Sequence, residues 1–406
     1  VPGDASVPNL HPVEPATVSV SPASLEMIEK LVGFDTTSRN SNLELIEFVR
    51  AYLAGLRVES RLVHDESGRK ANLYATLGPA DKPGIALSGH TDVVPVDGQD
   101  WSSDPWKVAR KDGRLYGRGV SDMKSFIAIA LAFAPEFLRR GLKTPVNLAL
   151  SYDEEVGCLG VRRLLEVLKA MPVRPWACII GEPTEMKVTV GHKGKKSIRC
   201  RVRGLEAHSS LAPRAVNAVE LAAEVIVKLR AMGRRFAAEG PFDDEYDVAH
   251  TTVHTGIVHG GMALNIVPRD CYFDFEFRYL PELEVEAMYR EVRDFAEREL
   301  QPAMRAIAPE CGFEWTEISA FPGLSTPPDS AAAQLAKALS GSNSTIKVAF
   351  GTEAGLYQQG GIPAIICGPG SIEQAHKPDE WVALNQLAMC ENFMRRLMDR
   401  VCERPA

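Results

Sequence analysis

Two histidines and a group of acids stand far apart in the sequence, each after an apolar run or in a glycine-rich turn. In Leu87-Ser88-Gly89-His90-Thr91-Asp92 a histidine and an aspartate lie two residues apart at the end of a strand-like run, so both project to one side. A metal-bound imidazole commonly has its other ring nitrogen held by a carboxylate, which fixes the tautomer and raises ligand basicity. Asp122 follows in Gly117-Arg118-Gly119-Val120-Ser121-Asp122-Met123-Lys124, between a glycine-rich turn and the start of a helix. Ser151-Tyr152-Asp153-Glu154-Glu155-Val156-Gly157 places three acids after another apolar run, and Gly181-Glu182-Pro183-Thr184 ends the next one. His376 stands near the far end, in Gln374-Ala375-His376-Lys377-Pro378-Asp379-Glu380.

Each feature alone has an ordinary explanation. A histidine after a strand is commonly a satisfied core or turn residue, an aspartate before a helix is commonly an N-cap, and an acid run is commonly a solvated loop. Taken together, His90, Asp122, Glu155, Glu182 and His376 supply two imidazoles and three carboxylates at strand ends or loops of one sheet. Nitrogen and oxygen donors without thiolates suit zinc, cobalt or manganese. Five donors are too many for one open tetrahedral site, and they suit two ions about 3.5 Å apart that share a carboxylate and a water.

The elements that must position these residues read as an α/β chain. Helical spacing over residues 24–56, broken near 34–40, precedes strand-like runs at 72–77 and 84–88, a helix at 125–139, a strand at 146–151, a helix at 161–171 and a strand at 177–181. After Glu182 the order becomes β-α-β-β-α-β: strand 197–202, helix 216–232, strands near 251–258 and 271–278, helix 283–300 and strand 313–318. That order is a split βαβ, ferredoxin-like α+β layer able to fold by itself, and it reads as an insertion. Helix 331–339, strands 346–348 and 364–367, and helix 384–401 then return to the first sheet. The expected division is a first segment 1–190, an insert 191–319 and a second segment 320–406, with a mixed sheet in the discontinuous part. Hinges are expected at 187–191 and 317–322, where the chain crosses.

A chain of 406 residues exceeds one ordinary core, and its 45% apolar content is ample for two. A net charge of -7 carries no basic excess for phosphate backbones or anionic membranes, so neither nucleic acid nor membrane is expected as a partner. The eight cysteines lack any close pairing, which suits reduced thiols in a cytoplasmic protein. Apolar stretches stop short of the roughly 20 residues that span a bilayer. Residues 1–20 read as a frayed or partly extended lead-in.

In this order, the motifs around His90, Asp122, Glu154-Glu155, Glu182 and His376 resemble those of the metallopeptidase M20 family, over about residues 24–397. The resemblance implies a hydrolase with two divalent ions, zinc foremost and cobalt or manganese also fitting. It implies that Asp122 bridges them, that His90 and Glu182 complete one site, and that Glu155 and His376 complete the other. Asp92 would orient His90, Glu154 would be the general base, and the Asp122–Met123 peptide would be cis. Glu154 and Glu155 diverge as neighbours on a chain do, so one can bind metal while the other reaches the water. The resemblance further implies an oxyanion role for His208, in Gly204-Leu205-Glu206-Ala207-His208-Ser209-Ser210, reaching into a partner subunit through a homodimer built on the insert. A loop histidine bonded to Ser209 or Ser210 is the plainer reading. Asn265 and Arg278 match substrate-contacting positions, and a guanidinium suits an α-carboxylate. A strand salt bridge from Arg278 to Glu276 or Asp274 is the alternative.

Within the family, Gly191-His192-Lys193-Gly194, Gly351-Thr352-Glu353-Ala354-Gly355 and Gly368-Pro369-Gly370 lean toward members that remove acetate from N-acetyl-L-ornithine in arginine biosynthesis by attack of a metal-bridging hydroxide. Glu353 is expected to pair with the side-chain ammonium of that acylated amino acid, whereas a succinyl substrate would prefer added positive charge. The alternatives are a succinyl-diaminopimelate desuccinylase, another aminoacylase or carboxypeptidase of the family, and a metal-binding module without catalysis.

Overall fold

A computed structural model describes residues 19–402. The lead-in expected at 1–20 lies almost wholly outside the described residues. The apolar runs become a nine-stranded mixed sheet in the order Ser60–His64, Ala71–Leu77, Val146–Ser151, Ile85–His90, Ala177–Pro183, Ala364–Gly368, Thr189–His192, Leu324–Ser325, with Ile346–Val348 pairing beside Thr189–His192. Its central strands are parallel. Ile85–His90 runs parallel to both Val146–Ser151 and Ala177–Pro183, and Ala364–Gly368 runs parallel to Ala177–Pro183. Strands covered on both faces must be apolar throughout. Val146–Ser151, Ile85–His90 and Ala177–Pro183 are buried at every position.

Helices cover both faces. Pro22–Val32, Lys124–Arg140 and Leu384–Val401 form one cluster with the sheet through Ile28, Phe126, Phe137 and Phe393. Leu159–Lys169 and Ala354–Gln359 cover the other through Val161, Leu164 and Tyr357. Each such side chain contributes roughly 1.5–3 kcal/mol on burial.

The second sheet is antiparallel, in the order Thr252–Gly260, Asp270–Tyr279, Gly194–Arg203, Gly312–Phe321. Numbered along the chain its strands lie 2-3-1-4, the ferredoxin-like arrangement. The alternation in Asp270–Tyr279, which buries Cys271, Phe273, Phe275, Phe277 and Tyr279, presents one face to the helices Ala218–Glu239 and Val285–Asp294. This core is separate, its buried side chains drawn from residues 198–311 with Phe313 and Trp315 packed against them. Thr189–His192 still belongs to the large sheet, so the chain crosses at Lys193 and returns at Pro322–Gly323, slightly beyond 190 and 319.

A small sheet of Ala109–Lys111, Arg114–Tyr116 and Trp381–Ala383 has no counterpart among the expected elements. Three-residue strands are too short to show a period. The expected helix 283–300 is also more elaborate, since Val285–Asp294 passes into a π-helical turn, Phe295–Leu300, and then the helix Gln301–Ile307.

Candidate metal centre

Side chains at the carboxyl ends of adjacent parallel strands meet in one crevice. His90 ends its strand level with Ser151, because the two strands pair in register from Ile85 and Val146 onward. The next residues after Ser151 deliver Glu154 and Glu155. Glu182 lies near the end of Ala177–Pro183, and the loop after Ala364–Gly368 brings His376. Asp122 comes from the turn before the helix Lys124–Arg140, which approaches the sheet closely at Gly181. A Cβ there would stand 1.9 Å from the ring of Phe126, so only glycine admits the helix at that depth.

The five expected donors come together. Asp122 turns one oxygen to each imidazole: Oδ1 lies 3.0 Å from His90 Nε2, and Oδ2 lies 3.2 Å from His376 Nε2. His90 Nε2 is 3.7 Å from Glu182 Oε1, and His376 Nε2 is 3.1 Å from Glu155 Oε2. Donor atoms of His90, Asp122 and Glu155 lie within 4.8 Å of one another, as do those of His90, Glu154 and Glu182. A tetrahedron with metal–ligand bonds near 2.0 Å has edges of roughly 3.3 Å, which these spacings approach. Asp122 is not the N-cap of its helix. That position falls on Met123, and the Asp122–Met123 peptide is cis.

Charge points the same way. Four carboxyl groups share this crevice with two imidazoles. Burial lifts Glu154 well above the usual carboxylate range, with the charges of Glu155, Glu353 and Asp122 adding to it and His90 opposing. Burial and Asp122 likewise raise Glu182 and Glu155. Asp122 goes the other way. Burial would raise it, but His376 and His90 hold its carboxyl below the ordinary range. Asp122 and Glu155 push His376 up to about 10 against its partial burial. For His90, burial opposes charge, yet Asp122, Asp92 and Glu182 keep the imidazole well above its usual value. Carboxylates forced together in this way repel, and divalent cations would relieve them. The donor set, its spacing and its excess negative charge fit metal ions.

Asp92 departs in detail from expectation. The close partner of His90 Nδ1 is the Asp92 backbone carbonyl at 2.9 Å, while its carboxylate oxygen Oδ1 is 3.6 Å away. That carboxylate instead accepts from the Ser38 hydroxyl at 2.7 Å and from the backbone N–H of Glu154 and Glu155 at 3.1 and 3.3 Å. It therefore fixes the turn that carries both glutamates.

Glu380, which closes the His376 motif, has a role that its residue type does not announce. Its buried carboxylate accepts from the backbone N–H of Gly119, Ser121 and Asp122 at 3.0, 2.8 and 3.1 Å and from the Arg118 guanidinium at 2.7 Å. Arg118 in turn donates to Gln99, whose amide donates to the His376 carbonyl at 3.0 Å. One network thus holds the Asp122 turn and the His376 loop.

Glu353, expected to meet a substrate ammonium, is deeply placed. Its carboxyl is 1% exposed, close enough to the centre to feel the charges of His90 and Asp92, and burial raises it to about 7. The Ser151 hydroxyl sits beside it without a well-formed hydrogen bond. Arg278 does line the cleft, with Lys195, and also makes the salt bridge to Glu276 at 2.9 Å that its spacing allowed. His208 and Asn265 lie outside this cleft. They are neighbours on the second layer, where Ala207–His208 pairs with Ile266–Val267 and the Ser209 N–H donates to the Asn265 carbonyl at 2.9 Å. His208 Nδ1 faces the Ser210 hydroxyl at 2.9 Å, as a loop histidine would.

The family described as peptidase family M20/M25/M40 matches residues 86–400. The chain belongs to that family. As an M20 hydrolase it is similar over 94% of its length, and 98% of the relative's, to an acetylornithine deacetylase of Myxococcus xanthus at 33% identity, and equally to one of Pasteurella multocida at 30%. Among solved structures it resembles an M20 metallo-carboxypeptidase from Sulfolobus solfataricus (TM-score 0.75, 18% identity, 92% of this chain and 98% of that one). It also resembles a dinuclear metal-binding M20 peptidase from Bacillus subtilis (TM-score 0.62, 16% identity, 92% and 96%). At such identities these two likenesses speak for the fold. No helix among the described residues is long and apolar enough to cross a membrane.

Proposed function

We propose that this M20 hydrolase cleaves the amide bond of N-acylated α-amino acids at a two-metal centre. The observation that carries the reading is the placement of Asp122 between His90 and His376, one carboxylate oxygen to each ring. His90, Asp122 and Glu182 would hold one divalent ion, and Asp122, Glu155 and His376 the other, with zinc, cobalt and manganese all suited to such donors. Bound there, the ions would polarise the amide carbonyl and lower the pKa of water toward neutrality.

Glu154 takes the proton of the attacking water in this reading and delivers it to the departing nitrogen, because an amine leaves only when protonated. Arg278 receives the α-carboxylate, and Asn265, outside its own chain's cleft beside His208, contacts the substrate held in the partner's. The division into residues 1–190 and 320–406 as catalytic part and 191–319 as insert belongs to the same proposal. So does a homodimer through the insert, in which His208 supplies oxyanion stabilisation to the partner's centre. Support comes from the outer strand Thr252–Gly260, which among the described residues is paired on one side only, and from Met262 and Leu264, which are 91% and 102% exposed beside Asn265. Eight unpaired buried thiols suit a cytoplasmic location.

N-acetyl-L-ornithine, which would yield ornithine and acetate in arginine biosynthesis, is the first substrate to assay, on the names of the relatives. Peptide cleavage is the second reading, favoured by the carboxypeptidase likeness in fold. Release of acetate from acetylated amino acids, measured against cleavage of dipeptides with and without a chelator, separates the two. Chelator-resistant turnover, or dipeptide cleavage alone, would rule the proposal out.

A further inference from the structure

The second sheet presents one cross-strand row to the cleft. Arg278 pairs directly with Lys195, and Lys195 with Phe321 on the other side, so the three side chains stand abreast at the ends of neighbouring strands. All three line the cleft beside the metal centre. Like charges placed directly opposite one another across a ladder oppose folding. One carboxylate offsets this pair. Glu276 lies two residues from Arg278 on the same face and accepts from its Nε at 2.9 Å, while Lys195 Nζ stands 3.8 Å from the other carboxylate oxygen. The Ser197 hydroxyl takes up that second oxygen at 3.2 Å.

Two cations therefore share one anion, and a positive charge is left over on the wall. The 3.8 Å separation is too long for a hydrogen bond, so the Lys195 ammonium keeps its donors free among the described residues. The acids that line this cleft are Asp122, Glu154, Glu155 and Glu182, which belong to the metal centre, and the remaining wall is largely apolar, with Phe321, Phe350 and Ile372. A substrate ammonium would meet the like charge of Lys195 on this wall, whereas a substrate anion would complete the unpaired cation.

We infer that Lys195 is a specificity-determining residue that receives a second carboxylate of the substrate, Arg278 taking the first. The inference rests on the reading of the centre as an acyl-amino-acid hydrolase, and it favours dicarboxylic substrates over acetylornithine. The second carboxylate can sit on either half of the amide, in an acidic amino acid or in a dicarboxylic acyl group.

The test uses the full-length, metal-loaded protein and four probes: N-acetyl-L-glutamate, N-succinyl-L-norvaline, N-acetyl-L-norvaline and N-acetyl-L-ornithine. One or both dicarboxylic probes should exceed acetylnorvaline in kcat/KM, and which of them does so assigns the half. Lys195→Ala should reduce that ratio about tenfold, Lys195→Arg should preserve it, and Lys195→Glu should shift preference toward acetylornithine. Calorimetry on Glu154→Ala protein, with and without Lys195→Ala, should show Kd for the preferred dicarboxylic probe rising by a similar factor. Equal loss on all four probes, or acetylornithine preferred by the unaltered protein, overturns the inference while leaving the hydrolase reading intact. Failure to hydrolyse any of the four overturns that reading itself.

Discussion

The Glu380 carboxylate accepts a hydrogen bond from the backbone N–H of Asp122 at 3.1 Å, and so fixes the residue that stands between the two imidazoles. It is buried with Arg118, each 1% exposed, and breaking such a pair leaves an uncompensated charge in the core. Glu380→Ala should destabilise the fold by roughly 3–5 kcal/mol and lower metal occupancy. Denaturant unfolding and metal content of the variant check both, and unchanged occupancy would deny Glu380 its role in placing Asp122.

Glu154 is the group assigned to move the proton. Glu154→Ala should retain its metal and lose a factor of about 10²–10⁴ in kcat, the usual contribution of a positioned acid–base group. Glu155→Ala and His376→Ala should lose metal as well. Parallel elemental analysis and steady-state kinetics distinguish the two behaviours. A Glu154→Ala protein with near-normal turnover would show that another group carries the proton.

Of the five proposed donors, His90, Glu155 and Glu182 are legible because they follow or end apolar runs, where sheet geometry sends side chains into one crevice, whereas Asp122 and His376 stand out only by residue type beside glycine-rich or polar turns. The ferredoxin-like layer was legible from its alternation of periods. Glu380 left no such mark, because a carboxylate that receives backbone N–H groups is indistinguishable in sequence from one that faces water. Glu353 shows the converse. Its motif neighbours Gly351 and Phe350 line the cleft, but depth within a layer is set by packing, and Glu353 is buried. Lys195 and Arg278 are 83 positions apart in sequence and adjacent in space only through strand register.

His192 provides a test by pH. Burial depresses its imidazole to about 4, the Lys193 carbonyl opposing, whereas an unfolded histidine titrates near 6.5. The unfolded chain thus takes up a proton that the folded chain refuses, and stability falls as pH drops from about 6.5 toward 4. The loss should reach about 3 kcal/mol at the lower limit. His192→Asn should flatten the dependence in that window, measured as denaturant midpoints at several pH values. Parallel curves for the two proteins would contradict the assignment.

If His208 acts across a dimer, two inactive proteins should complement each other. Mixing His208→Ala with Glu154→Ala chains and allowing exchange should restore about a quarter of normal activity, since half the dimers are mixed and each has one intact centre. Leu264→Arg, at the exposed patch, should shift the protein toward monomer in sedimentation and abolish the restoration. Activity in the mixture no higher than the sum of its parts would place His208 outside the reaction.

The central claim, that His90, Asp122, Glu155, Glu182 and His376 together grip a pair of divalent cations, is tested most directly by elemental analysis of dialysed protein alongside acyl-amino-acid hydrolysis. Two ions per chain are expected, falling together with activity on chelation and returning together on titration with zinc, cobalt or manganese. Full activity in protein that holds one ion or none would contradict the claim.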